Sequence, residues 1–267
     1  MKISIIGCGN IGSAIANGLI NSNLVKPSEL TLTRKNKNLL EPFLKRGFNA
    51  INDNVKAVET SKIIILGVTP QQLNNVLDEI KDCLTDNHVL MSVVSGASIK
   101  QIKKQIGKDI PVVRVMPNTA IAIQESMTCI CADEKDSDSV ELAKKIFDSV
   151  GSTIQISEDL MGPATALCAC GTAFFLRAVR AASQGGIEIG FHAEDALYMA
   201  AQTAKGAAAM LLKEGKHPER EIDKVTTPQG ITISGLNQME HSGFSSSMIK
   251  GIVTAAEKAE NIYSNKS

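Results

Sequence analysis

Residues 1–18 read MKISIIGCGNIGSAIANG. Ile3, Ile5 and Ile6 form a short β-branched run that leads directly into Gly7-Cys8-Gly9-Asn10-Ile11-Gly12, and an Ala- and Ile-rich helical pattern follows. Strand, glycine loop and helix in that order make a dinucleotide cradle. Gly7 permits the tight turn, Gly9 leaves room for a pyrophosphate against the backbone, and Gly12 lets the helix pack close to the strand. The helix start at Asn10 and Ile11 then turns free N–H groups and the positive end of its dipole toward the phosphates. A glycine hexapeptide alone also occurs in turns that bind nothing. Here the strand before it, the helix after it and its N-terminal position carry the dinucleotide reading.

Outward from this stretch, apolar runs of strand length at 30–33, 63–68, 89–94, 112–116 and 127–131 alternate with helical patterns near 37–46, 71–81, 99–106 and 137–150. Such alternation predicts an α/β domain, a Rossmann-type doubly wound parallel sheet with helices on both faces. From about residue 157 the texture changes to Ala-rich helical patterns, at 160–190, 193–214, 230–241 and 246–263. The expected division is a dinucleotide-binding domain over 1–157 and an all-helical domain over 158–267. No internal repeat is visible, and no low-complexity tail beyond the last few polar residues.

The end of the second strand chooses between cofactors. NAD-preferring folds carry an acid there, about 20 residues past the glycine loop, to hold the ribose 2′-hydroxyl. This chain has Thr33-Arg34-Lys35 and no Asp or Glu until Glu41, which suits a 2′-phosphate and so NADPH, with NADH as a possible second donor. The other strand ends carry Val68-Thr69-Pro70, Ser95-Gly96 and Met116-Pro117-Asn118, small, polar or turn-forming groups that outline a cofactor trough. Asn118 is a candidate to orient the nicotinamide carboxamide, and Gly96 allows close backbone approach.

In the helical half, Lys224-Val225-Thr226-Thr227-Pro228-Gln229-Gly230-Ile231-Thr232 places Thr before Pro at the start of a helical pattern, the arrangement of an N-cap followed by a first-turn proline. The backbone N–H groups of Gln229, Gly230 and Ile231 are then free for a small carboxylate, with hydroxyls from Thr227 and Thr232 beside them. On local evidence alone, a helix cap explains the same residues.

Composition narrows the remaining classes. In 267 residues, 28 Lys plus Arg balance 28 Asp plus Glu, so no global field attracts nucleic acid or a membrane. There is no Trp and there are two Tyr, too few for a base-stacking platform. No signal-peptide pattern precedes the first strand, so a cytoplasmic protein is expected. The uncharged stretch 160–176 falls short of the roughly 20 apolar residues that span a bilayer and reads as a buried helix or a subunit interface. Of six cysteines, Cys129/Cys131 and Cys168/Cys170 form two C-x-C pairs. A four-cysteine metal site built from them is conceivable, but neither pair has zinc-ribbon spacing, and reduced thiols filling small buried positions is the simpler reading, with no metal. His88, His192, His217 and His241 fall outside the motifs and read as surface or capping residues.

The chain resembles the Δ1-pyrroline-5-carboxylate reductases over nearly its whole length. The residues that carry the resemblance are GCGNIGSAI, Val68-Thr69-Pro70-Gln71, Ser92-Val93-Val94-Ser95-Gly96-Ala97 and Arg114-Val115-Met116-Pro117-Asn118-Thr119. In the helical half they are Thr165-Ala166-Leu167, Ala200-Ala201-Gln202-Thr203, His217-Pro218, the VTTPQGITISGL run and Gly243-Phe244. The resemblance implies a Rossmann domain followed by a helical dimerisation domain, with active sites that include helices of the partner subunit. It also implies a homodimer that assembles further, often into a decamer, a pentamer of dimers. Three departures stand out. Cys168-Ala169-Cys170-Gly171-Thr172-Ala173 replaces the usual Ser-Gly-Ser-Gly-Pro-Ala, Thr69 replaces a Lys, and Gln229 replaces the first glycine of Ser-Pro-Gly-Gly-x-Thr.

The chemistry implied is hydride addition from NADPH to the C=N bond of a cyclic imine, giving proline. The imine ionises near neutral pH, so the main task is to hold donor and acceptor carbons in reacting geometry. Gly230 and Ile231 are expected to hold the substrate carboxylate, and Thr232 to meet the ring nitrogen as the catalytic candidate. Rival readings are a reductase of a different cyclic imine, a β-hydroxyacid dehydrogenase, and a non-catalytic NADP-binding protein. The absence of Lys from 160–176 counts against the β-hydroxyacid enzyme.

Overall fold

The computed structural model describes residues 1–264, without the side chains of residues 37 and 260–264, so the last polar residues named above lie outside the described residues. The chain divides into two compact units, one made of residues 1–172 with the end of the chain from 253, the other of residues 173–252.

The first unit alternates strands and helices: β1 (Ile3–Ile6), α1 (Asn10–Asn21), β2 (Leu30–Thr33), α2 (Glu41–Leu44), β3 (Asn49–Ile51), α3 (Asn54–Glu59), β4 (Ile63–Leu66) and α4 (Pro70–Ile80). It continues with β5 (Val89–Ser92), α5 (Ile99–Ile106), β6 (Val112–Met116), β7 (Ser126–Ala132), α6 (Ser137–Phe147), β8 (Gly151–Gln155) and α7 (Met161–Ala164). Among the described residues the strands form one sheet in the order β3-β2-β1-β4-β5-β6-β7-β8. Ile3 and Ile5 face one apolar layer with Leu30, Leu32, Ile63 and Ile65, while Ile6, Ile64, Leu66 and Leu90 face the other. Burial on both faces is why these strands read as continuous apolar runs. Ser4 is one of the buried polar residues among them, and its hydroxyl donates to the Ala57 carbonyl at 2.6 Å.

The sheet departs from the expected all-parallel pattern at one place, where β6 and β7 pair antiparallel. Only a 3₁₀ segment, Thr119–Ile123, lies between them, too short for the helical crossover that a parallel pair requires. β3 and β8 were not expected. They are edge strands, short or polar, with no apolar run to announce them. Local chemistry sets the helix ends: in α5 the Ser98 hydroxyl accepts the Gln101 amide at 3.2 Å, and Gly107 stops the helix at φ 66°.

After α7 the chain runs through a π-helical turn, Thr165–Cys170, into α8 (Gly171–Glu188). The second unit carries α9 (Ala193–Glu214), α10 (Pro218–Val225), α11 (Ile231–His241) and the start of α12 (Phe244–Ser264). The charged α10, reading PEREIDKV, was also unexpected. Helical structure from Glu158 to Glu188 is long and apolar enough to cross a membrane by length and composition, because it continues beyond the uncharged stretch. Among the described apolar residues of the second unit Ala196 is buried, while Phe175, Tyr198, Leu212 and Ile231 are exposed, Ile231 to 94%.

Candidate active site

The carboxyl ends of β1 and β4, where the strand order reverses, are where ligands bind in open α/β sheets. The loop after β1 is held from beneath, because the Gly7 and Cys8 amides donate to the Thr33 carbonyl at 3.2 and 2.8 Å. Gly7 has φ +92°, and a Cβ on Gly12 would meet the Gly7 carbonyl oxygen at 2.6 Å, so the close packing of helix on strand requires glycine there. Gly9 is the N-cap of α1 without a side-chain cap, and the first helical bond runs from the Ser13 amide to its carbonyl. The amides of Asn10, Ile11 and Gly12 therefore precede the helical ladder. Nothing lies within 4 Å of a Cβ built on Gly9, so the space above the loop is open.

That space belongs to a groove of about 620 Å³. Of the residues expected to bind a cofactor, Gly7, Gly9, Thr33, Arg34, Val68 and Thr69 line it. Asn10, Ile11, Gly12, Pro70, Ser95, Gly96, Met116 and Asn118 are not on its wall. Arg34 Nη1 donates to the Cys8 carbonyl at 3.0 Å, which brings the cation from the end of β2 onto the glycine loop. The sequence reading missed Asn54 and Glu79. The Thr33 hydroxyl donates to Asn54 Oδ1 at 2.6 Å, and Asn54 Nδ2 donates to Glu79 Oε2 at 2.8 Å. No local motif marks either residue; α3 and α4 deliver them through the crossovers.

Thr69 and Pro70 occupy the N-cap and first position of α4, and the Thr69 hydroxyl lies 3.3 Å from Gln72 Oε1. Ser95 and Gly96 form the turn after β5, with Gly96 at φ +84°, and Met116 is buried. Asn118 is engaged within the fold. Its Oδ1 accepts the Ala120 amide at 3.0 Å, and its Nδ2 donates to the Cys168 carbonyl at 3.2 Å. The Asn118 side chain thus caps a 3₁₀ segment and ties the loop after β6 to the π-helical turn.

In the second unit the Thr-Pro pair is not a helix cap. The Gly230 amide donates to the Thr227 carbonyl at 2.8 Å, Pro228 follows Thr227, and Gln229 stands at φ 58°. This is a tight turn with proline at its second position and a left-handed third residue, as in a type II turn. α11 begins after it at Ile231, with Gly230 as N-cap. The Gly230 amide is therefore engaged within the turn, and the amides of Ile231 and Thr232 stand at the helix start. A Cβ on Gly230 would meet the Thr227 hydroxyl at 2.5 Å, so these two residues pack as one unit of the turn.

Of the histidines, His88 accepts the Thr85 amide at 2.9 Å and His217 caps α10, accepting the Glu219 amide at 3.3 Å. His192 precedes α9 and His241 ends α11. Cys8, Cys129 and Cys131 are buried and Cys83, Cys168 and Cys170 half-buried. Among the described residues no three His, Cys, Asp or Glu side chains are grouped to hold a metal ion.

Residues 158–262 match the family model described as pyrroline-5-carboxylate reductase dimerisation, and residues 2–96 match one described as NADP oxidoreductase coenzyme F420-dependent. Pyrroline-5-carboxylate reductase 2 of Dictyostelium discoideum is 48% identical over 274 residues, covering 97% of this chain and 92% of the relative. The chain belongs to the pyrroline-5-carboxylate reductase family. Pyrroline-5-carboxylate reductase 1 of the same organism is 53% identical over 99% of the chain, and the chain spans 50% of that longer relative. Among solved structures of the family, the Plasmodium falciparum pyrroline carboxylate reductase with NADP bound superposes with a TM-score of 0.90, at 27% identity over 98% of both chains.

Proposed function

We infer that the chain is a pyrroline-5-carboxylate reductase, transferring hydride from NADPH to the C=N bond of Δ1-pyrroline-5-carboxylate to give L-proline. The observation that carries this is the 48% identity to a pyrroline-5-carboxylate reductase along 97% of the chain.

The glycine-loop groove fits a phosphorylated dinucleotide: it is open above Gly9, begins at an uncapped helix and holds Arg34 at its edge. Bound there, NADPH supplies the hydride. We assign the pyrophosphate to Gly7, Gly9 and the amides of Asn10, Ile11 and Gly12, and the 2′-phosphate to Arg34 beside Thr33. Val68, Thr69, Pro70, Ser95, Gly96 and Met116 shape the trough at the strand ends, and Asn118 holds the last loop in place. In the helical half, the amides of Ile231 and Thr232 receive the substrate carboxylate at the start of α11. Thr227 and Gly230 set the shape of that turn, and the Thr232 hydroxyl meets the ring nitrogen. With the imine protonated near neutral pH, the chain needs no strong acid and contributes orientation.

The functional division we propose is a cofactor domain over 1–157 and a substrate and dimerisation domain over 158–267. Its match to a dimerisation family supports a homodimer. A decamer of five dimers and a cytoplasmic location complete the proposal. The test is loss of reduced-nicotinamide absorbance when Δ1-pyrroline-5-carboxylate is added to the purified chain, with proline measured as product and NADH run in parallel. Proline formed with NADPH as the faster donor is the expected result. A protein that binds NADPH but forms no proline would overturn it.

A further inference from the structure

The mechanism uses none of the six cysteines, yet the fold brings two of them together across the first unit. Cys129 lies on β7, where its register partner is Met116 at the end of β6. Cys168 lies in the π-helical turn 165–170, and its Sγ is 3.7 Å from Cys129 Sγ. Among the described residues this is the pair of thiols within hydrogen-bonding distance. The Cys168 carbonyl also accepts from Asn118, so the thiol pair is tied to the loop after β6.

We propose that Cys129 and Cys168 form a reversible dithiol–disulfide site whose oxidation by a small-molecule disulfide or peroxide alters the loop held by Asn118. Two features favour the chemistry. The hydrogen bond from Cys129 holds the Cys168 thiol down at about 7, against the usual value of a free thiol, while the same bond and burial push Cys129 up. Cys168, half-buried where Cys129 is buried, is the thiol that an oxidant reaches first. The π-helical turn supplies the second feature. Joining the sulfurs requires them to close from 3.7 Å to about 2.05 Å, and a single wide turn can absorb that shift by tightening.

With oxidised glutathione the step balances as follows. The Cys168 thiolate attacks one glutathione sulfur, the S–S bond breaks and one glutathione thiolate leaves. The Cys129 sulfur, giving up its proton, then attacks Cys168 and displaces the second glutathione. Two protein thiols are oxidised to one disulfide and the oxidant is reduced to two thiols. The pull on Cys168 moves its carbonyl, and with it the Asn118 side chain. Formation of the link is independent of the reductase reading, whereas its effect on turnover rests on it.

The test treats the full-length protein with oxidised glutathione, blocks free thiols with N-ethylmaleimide, and maps peptides without reduction. A peptide pair joining Cys129 to Cys168, reversed by dithiothreitol, is expected, together with an at least fivefold fall in imine turnover that dithiothreitol restores. Cys168→Ala should abolish the oxidant-dependent fall, read as the ratio of oxidised to reduced rates, and Cys129→Ala should yield no linked pair and leave glutathione on Cys168. If either variant fails to fold, the peptide map of the unaltered protein decides. No linked pair, or Cys168 joined to Cys131 or Cys170, or glutathione left on Cys168 as the end product, would overturn the site. A linked pair with unchanged turnover would overturn the coupling to the loop. A linked pair in a protein with no turnover in either state would support the site and overturn the reductase reading.

Discussion

Arg114 Nη1 stands 3.2 Å from Glu158 Oε1, and the same oxygen accepts the Ile99 amide at 2.7 Å. One carboxylate thus serves the buried cation of β6 and the first turn of α5, joining the middle of the sheet to the segment that enters the π-helical turn. Because Arg114 is 6% exposed, removing its partner leaves a charge that water reaches poorly. Glu158→Ala is expected to lower unfolding free energy by about 2–3 kcal/mol, less than for a fully buried pair because the carboxylate is partly solvated. Urea denaturation at fixed protein concentration measures it, and a loss under half a kilocalorie would show the pair to be decorative.

Arg34 should decide cofactor preference. Charge-assisted hydrogen bonds are worth about 1.5–3 kcal/mol, so Arg34→Ala should raise KM for NADPH by roughly 10- to 100-fold. The lost bond to the Cys8 carbonyl affects both cofactors equally, so the ratio of NADPH to NADH efficiency isolates the phosphate contact. An unchanged ratio would move the 2′-phosphate to another cation.

Gln229 occupies a left-handed conformation that costs a non-glycine residue about 1–2 kcal/mol, against about 0.5–1 kcal/mol for the extra freedom that glycine has when unfolded. Strain is the larger, so Gln229→Gly should stabilise the protein by about 0.5–1 kcal/mol. A rise in Tm at constant protein concentration is the expected reading; a fall would mean that the Gln229 side chain makes a contact worth more than its backbone strain.

Thr232→Ala should lower kcat/KM for the imine by roughly 10- to 100-fold, the loss expected for one hydrogen bond to a charged group. The Kd for NADPH should not move, since Thr232 lies outside the cofactor groove. Fluorescence titration beside the turnover assay separates the two. A parallel loss of cofactor affinity would assign Thr232 a structural role.

Cys168 should alkylate faster as pH rises, with half-maximal rate near pH 7, because the thiolate is the reacting form and the Cys129 hydrogen bond favours it. Cys131, raised to about 11 by burial, should remain slow across the same range. Peptide-resolved iodoacetamide rates between pH 5 and 9 provide the comparison. Equal rates at the two positions would remove the basis for a nucleophilic Cys168.

Sequence carried the centre of this fold better than its margins. Ile3–Ile6 and Ile63–Leu66 were readable because both faces of each strand are buried, whereas Asn49–Ile51 and Gly151–Gln155 lie at the sheet edges and need no apolar run. Gly7, Gly9 and Arg34 were legible at the site because local spacing fixes them. Asn54 and Glu79 were not, since only the return of two crossovers brings them to the groove. The tie from Asn118 to the Cys168 carbonyl was not legible either, because it joins a strand end to a turn fifty residues away.

The second unit leaves Phe175, Tyr198, Leu212 and Ile231 in water and buries little of its own apolar surface. This half of the chain matches a family model described as dimerisation, so a second subunit that covers this surface would add burial to these helices and make their stability depend on protein concentration. Its melting temperature should then climb with protein concentration. For this half of the chain, dilution is expected to act as a denaturant.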